Sequence, residues 1–125
     1  MLYLCPDFND MLRFHTKENG DRTAELEPGQ IMISGTDDII DVIAEASLND
    51  CGKLIVHSGS LNPDFFDLST GLAGEILQKF SNYRMKLAII GDFSVYKSKS
   101  LRDFIRESNR TGVITFKATL EDALG

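Results

Sequence analysis

With 125 residues, 42% of them apolar and 26% charged, the chain has the length for one domain with its own core. A net charge of −6 lacks the basic footprint that generic nucleic-acid binding needs. The longest apolar runs, such as Leu87-Ala88-Ile89-Ile90, are too short to cross a bilayer, and the opening MLYLCPDFND has no basic flank of a signal peptide, so a cytoplasmic address without a membrane partner is expected.

Residues 1–10 read as an extension ahead of a single α/β domain over 11–125. Residues 12–16 and 22–26 flank Lys17-Glu18-Asn19-Gly20-Asp21, and Asn-Gly tolerates positive φ, so a hairpin is expected. Pro28-Gly29 breaks the chain before a short strand from Gln30 to Ser34. From Thr36 the period changes: Ile39, Ile40, Ile43 and Ala46 share a helical face, Asp37 and Asp38 complement the dipole, and Gly52 stops the run. A buried strand follows from Lys53 to Val56, then a loop from His57 to Leu68. A central helix is predicted from Thr70 to Tyr83, with Leu72, Ile76 and Phe80 on one stripe beside Ala73 and Leu77. Lys86 to Gly91 is the next strand, with Ile89 at its centre, and both Leu77 and Ile89 should be buried. Ser100 with Asp103 resembles a capping box and starts a helix to Asn109. Val113 to Lys117 is the last strand, and Thr119 caps a short helix through Leu124.

The order β-β-β-α-β-α-β-α-β-α predicts a mixed sheet with a parallel centre, an N-terminal hairpin and about four helices. In such sheets the C-terminal ends of the parallel strands form a rim where ligands bind. That rim should collect Asp67, Ser69, Thr70, Gly71, His57, Asp92, Ser94 and Lys97, the expected binding residues. Ser69-Thr70-Gly71 opens the central helix, where free backbone N–H groups and the dipole would hold a phosphate or a partner's carboxylate. Phe65 and Phe66 should anchor the loop in the core.

Charge is uneven: residues 1–78 carry 4 Lys and Arg against 14 Asp and Glu, and residues 79–110 carry 8 against 3. The basic segment could meet an acidic partner. Two histidines and two cysteines without close spacing give no metal signature, Cys5 and Cys51 should be reduced thiols, and His15 should be a surface residue. Glu75 stands where a phosphate loop needs Lys, so no nucleotide cofactor is expected. No catalytic set is spelled out. The alternative to a binding module is a small enzyme using His57 with Ser69 or Asp92 at the same rim.

Several segments carry a resemblance that covers nearly the whole chain from Met11. They are Phe65-Phe66-Asp67-Leu68, Thr70-Gly71, the run from Ala73 to Phe80, residues 86–93, and Ser98 to Ile105. On these residues the chain resembles the bacterial family called domain of unknown function 4180. It more distantly resembles the STAS domain of anti-sigma-factor antagonists and sulphate transporters, through Ser69-Thr70-Gly71-Leu72-Ala73-Gly74 at a helix start and Glu121-Asp122-Ala123-Leu124 at the end. The STAS resemblance implies a STAS-like α/β fold and a regulatory role through a protein partner, with Ser69 in the place of the serine that is phosphorylated in antagonists. A small anion is the other expected ligand, and a homodimer is a further expected partner state.

Overall fold

A computed structural model gives the fold for residues 11–29 and 33–124. Two strands, β1 (Leu12–Thr16) and β2 (Arg22–Leu26), pair antiparallel around a turn in which Gly20 takes φ +93°. A side chain would be strained at that angle, which is why the turn uses glycine. Strands β3 (Lys53–His57), β4 (Lys86–Ile90) and β5 (Ile114–Lys117) then add in parallel, giving the strand order β1-β2-β3-β4-β5. The mixed sheet with a parallel centre and N-terminal hairpin is therefore present.

Helices α1 (Thr36–Leu48), α2 (Leu72–Asn82) and α3 (Lys99–Thr111) form the three crossovers, and α4 (Leu120–Leu124) follows β5. Crossovers of one hand that always step in the same direction leave their helices on one face of the sheet. The side chains agree. Ile39, Val42, Ile43 and Ala46 of α1 and Ala73, Ile76 and Phe80 of α2 pack on Ala24, Leu26, Leu54, Val56, Leu87, Ile89, Ile114 and Phe116, with Phe104 and Ile105 of α3 at the margin. Residues one step along each strand point the other way. On that second face, among the described residues, α4 supplies the helical cover, setting Leu120, Ala123 and Leu124 on Ile55, Ala88 and Ile90.

Several expectations need correction. The strand expected from Gln30 to Ser34 lies mostly outside the described residues, and the part that is described makes one parallel bridge, Ile33 with Leu61. The 1–10 extension is outside them as well. The central helix starts at Leu72, not Thr70. Ser69 and Thr70 belong to a separate 3-10 turn, Leu68–Thr70, and Gly71 at φ +80° turns the chain into α2. Helix α3 is capped by Ser98, whose Oγ accepts from Leu101 N–H at 3.3 Å, so the Ser100 start is two residues late, and it runs on to Thr111. Ile89 is fully buried, but Leu77 is only half-buried, because it lies at the edge of the Ala73–Ile76–Phe80 stripe. Phe65 is fully buried and Phe66 half-buried, as befits loop anchors. Thr119 does cap α4, its Oγ1 accepting from Asp122 N–H at 3.1 Å.

Candidate functional site

The rim at the C-terminal ends of β3 and β4 is built from two copies of one turn. In each, an Asp-x-Ser segment opens a 3-10 turn. The Asp67 carboxylate accepts from Ser69 N–H at 3.1 Å and from Ser69 Oγ at 2.6 Å. The Asp92 carboxylate accepts from Ser94 N–H at 3.1 Å and from Ser94 Oγ at 2.6 Å. Short acidic side chains favour this local bonding over helix or strand. The serine hydrogen bonds hold both carboxyls below the usual carboxylate range. Thr70 Oγ1 lies 2.8 Å from both the Asp64 and the Asp67 carbonyl, which share its one proton. The Ser69 N–H that was expected to meet an anion is thus already taken by Asp67.

Aromatic rings join the two turns. Phe66, beside Asp67, stacks on Tyr96 at 4.9 Å between centroids, and Phe93 meets Phe66 at 6.1 Å and Phe116 at 5.1 Å. Val95 stands out from this cluster, 61% exposed. Gly91 lets the strand ends approach, since a side chain there would meet Ser58 Oγ at 2.5 Å. Asp67, Ser69, Thr70, Gly71, Asp92, Ser94 and Lys97 are all exposed on these segments. Next to them, Phe93 and the α3 residues Arg102, Ile105, Arg106 and Asn109 line a shallow, open depression of about 340 Å³.

His57 does not join the rim set. It follows Ile55 by two residues on β3, so its ring faces away from α2, and its Nε2 bonds Glu25 Oε2 at 2.7 Å. His15 Nε2 bonds the other oxygen of the same carboxylate, Oε1, at 2.9 Å. Both histidines of the chain therefore clasp one buried glutamate. The register explains how. Glu25 pairs with Arg13 and Ile55, so His15 and His57 are its diagonal neighbours on the two flanking strands, a spacing that long side chains span. Burial raises the Glu25 carboxyl, but the hydrogen bonds from His57 and His15 outweigh it and leave the group below its ordinary value. Among the described residues, no group of three or more His, Cys, Asp or Glu is placed to hold a metal ion.

Residues 18–125 match the family model described as Domain of unknown function (DUF4180). The chain belongs to that family. No curated protein and no solved structure matches it. For this DUF4180 member the places of the rim loops were legible from sequence, whereas their Asp-x-Ser turns and the His15–Glu25–His57 cluster were not. His15 and Glu25 carry a usable signal only when the hairpin register is known, because that register decides which face each residue occupies. Among the described residues, no helix is long and apolar enough to cross a membrane.

Proposed function

We propose that the protein is a regulatory binding module that meets an acidic protein partner at the rim of the two Asp-x-Ser turns. The observation that carries this reading is the pair of identical turns, each presenting an exposed serine hydroxyl, tied together by the stacked Phe66 and Tyr96. Exposed loop residues on a rigid scaffold are where contact residues concentrate. Val95 offers an apolar centre, and the exposed Lys97 and Arg102 supply positive charge that an acidic surface needs, while Lys99 and Arg106 pair with Asp103. The resemblance to STAS domains adds a switch at Ser69, where a phosphate changes the local charge by roughly −1.5 to −2 and repels the same partner. A cytoplasmic setting goes with this reading, since Cys51 is a buried free thiol.

The test is capture from native extract with the unaltered chain, Val95→Glu, Ser69→Asp and Lys17→Gln. The reading expects one protein retained by the first and last and lost by the middle two. Equal retention by all four removes the rim from the interaction.

A second reading is favoured by His57. A histidine held by a carboxylate is the arrangement of an oriented general base, and Glu25 is that carboxylate. On this reading the chain is a small enzyme working on the face of the sheet opposite α2, with Glu25 in the partner role given above to Ser69 or Asp92. Turnover in a broad esterase, phosphatase or nucleotide-hydrolysis screen that disappears in His57→Ala would replace the binding module with the enzyme.

A further inference from the structure

The end of the sheet opposite the rim gathers positive charge. The register puts Thr23, Lys53 and Lys86 side by side at the N-terminal ends of β2, β3 and β4, on the face away from α1–α3. Lys53 and Lys86, with Lys17 and Arg22, line a cavity of about 500 Å³ that also holds Asp21 and Asp50. A second cavity of about 230 Å³ shares Lys53 and Lys86 and adds Lys117 and Asp122. The two spaces meet at the Lys53–Lys86 pair.

Like charges placed directly across two strands repel each other. Among the described residues, Lys17, Arg22, Lys53, Lys86 and Lys117 form no ion pair, whereas Arg13, Lys99, Arg106 and Arg110 each hold a carboxylate. Lys53 Nζ donates to the Ala123 carbonyl at 2.8 Å, and Arg22 Nη1 to the Asn49 carbonyl at 2.6 Å. Neither contact supplies a counter-charge. Burial, together with Lys17, Lys86 and Lys117, pushes the Lys53 ammonium below its ordinary value. Among the described residues, the lining carboxylates Asp21, Asp50 and Asp122 form no ion pair with this cluster.

We propose that this double cavity is a binding site for a small phosphate-bearing anion with more than one negative charge, held across the Lys53–Lys86 pair. Lysine ammonium groups bind phosphate as point charges and accept it from several directions. Two adjoining cavities suit two anionic groups. Concave walls and the acids Asp21, Asp50 and Asp122 in the linings select a compact anion over an extended nucleic acid. The site is independent of the rim and of Glu25.

The experiment is a calorimetric titration of the full chain with inorganic pyrophosphate at a constant ionic strength of about 0.15 M. Sulfate and citrate are run in parallel, and backbone amide shifts are recorded by NMR. The expected result is saturable binding, tighter than for sulfate or citrate, with shifts at Gly20, Gly52, Lys53 and Lys86 and none at Ser69 or Ser94. Lys86→Gln and Lys17→Gln should each weaken it about tenfold, the scale of one lost charge contact, and Lys97→Gln should not. Both lysines are exposed, so these variants decide the matter even where Lys53→Gln does not fold. Unsaturated binding, equal affinity for sulfate or citrate, or a Lys86→Gln protein that binds as tightly as the unaltered chain overturns the proposal.

Discussion

The two faces of the sheet are made from alternate residues of the same strands, yet they do different work. On the helical face, Ala24, Leu26, Leu54, Val56, Leu87 and Ile89 are sealed under α1, α2 and α3. On the other face, the buried Thr23 and Glu25 and the more exposed Lys53, His57 and Lys86 lie beside a small apolar island under α4. Burial of the first set supplies the stability that lets the second carry titratable and charged groups. The lesson is that a β-strand can commit one face to the core and leave the next residue free for chemistry, because side chains alternate with period two.

The largest break in this comparison should come from the sealed face. Phe80 is fully buried on α2, and Phe80→Ala is expected to cost about 3–5 kcal/mol by the transfer and cavity terms of a buried aromatic. Urea denaturation with an unchanged midpoint would show that the helical face is not the stabilising one.

Glu25 tests the other face. Glu25→Gln removes the charge that both histidines address and should cost about 2 kcal/mol near neutral pH. Because the folded carboxyl lies below its ordinary value, its stabilisation is complete above the unfolded glutamate range of about 4.3. It is lost as pH falls through the lowered folded value. The gap between parent and variant should therefore close as denaturation is measured from about pH 6 down to about pH 3. A gap that stays constant over that range takes Glu25 out of the acid response.

Leu77 sharpens the boundary of the sealed face. It is half-buried at the edge of the α2 stripe, so Leu77→Ala should cost about 1 kcal/mol, well short of a core truncation. A loss as large as that of Phe80→Ala would extend the core to this position.

The smallest effect has the opposite sign. Lys86→Glu places a carboxylate across from Lys53 and should raise stability by about 0.5 kcal/mol, with the gain shrinking in high salt. Thermal denaturation at two salt concentrations measures it. A loss of stability at low salt would mean that the lysines are not crowded.

Local chemistry explains what could be read before the fold was known. The α1 and α2 stripes, the Gly20 turn and the Thr119 cap each depend on residues within a turn or two of one another, and each is present. Where the reading slipped, two local signals competed. Ser69-Thr70-Gly71 looks like a helix start, but Asp67 draws Ser69 into its own turn and Gly71 delays the helix to Leu72. At α3, the Ser100–Asp103 spacing resembles a capping box, but the Leu101 N–H bonds Ser98 Oγ and the helix starts two residues earlier.

By itself the sequence determined the alternation of strands and helices, the positions of the rim loops and the family to which the chain belongs. Tertiary structure alone decided that His15 and His57, 10 and 32 residues from Glu25, share its carboxylate, and that Lys53 and Lys86 line two cavities, with Lys17 on one and Lys117 on the other. The reason is register. Hydrophobic burial fixes which residues of neighbouring strands stand opposite one another, and a slip of one residue would turn Glu25 and Lys53 into the core. That choice is made between segments far apart in the chain, so no local pattern records it.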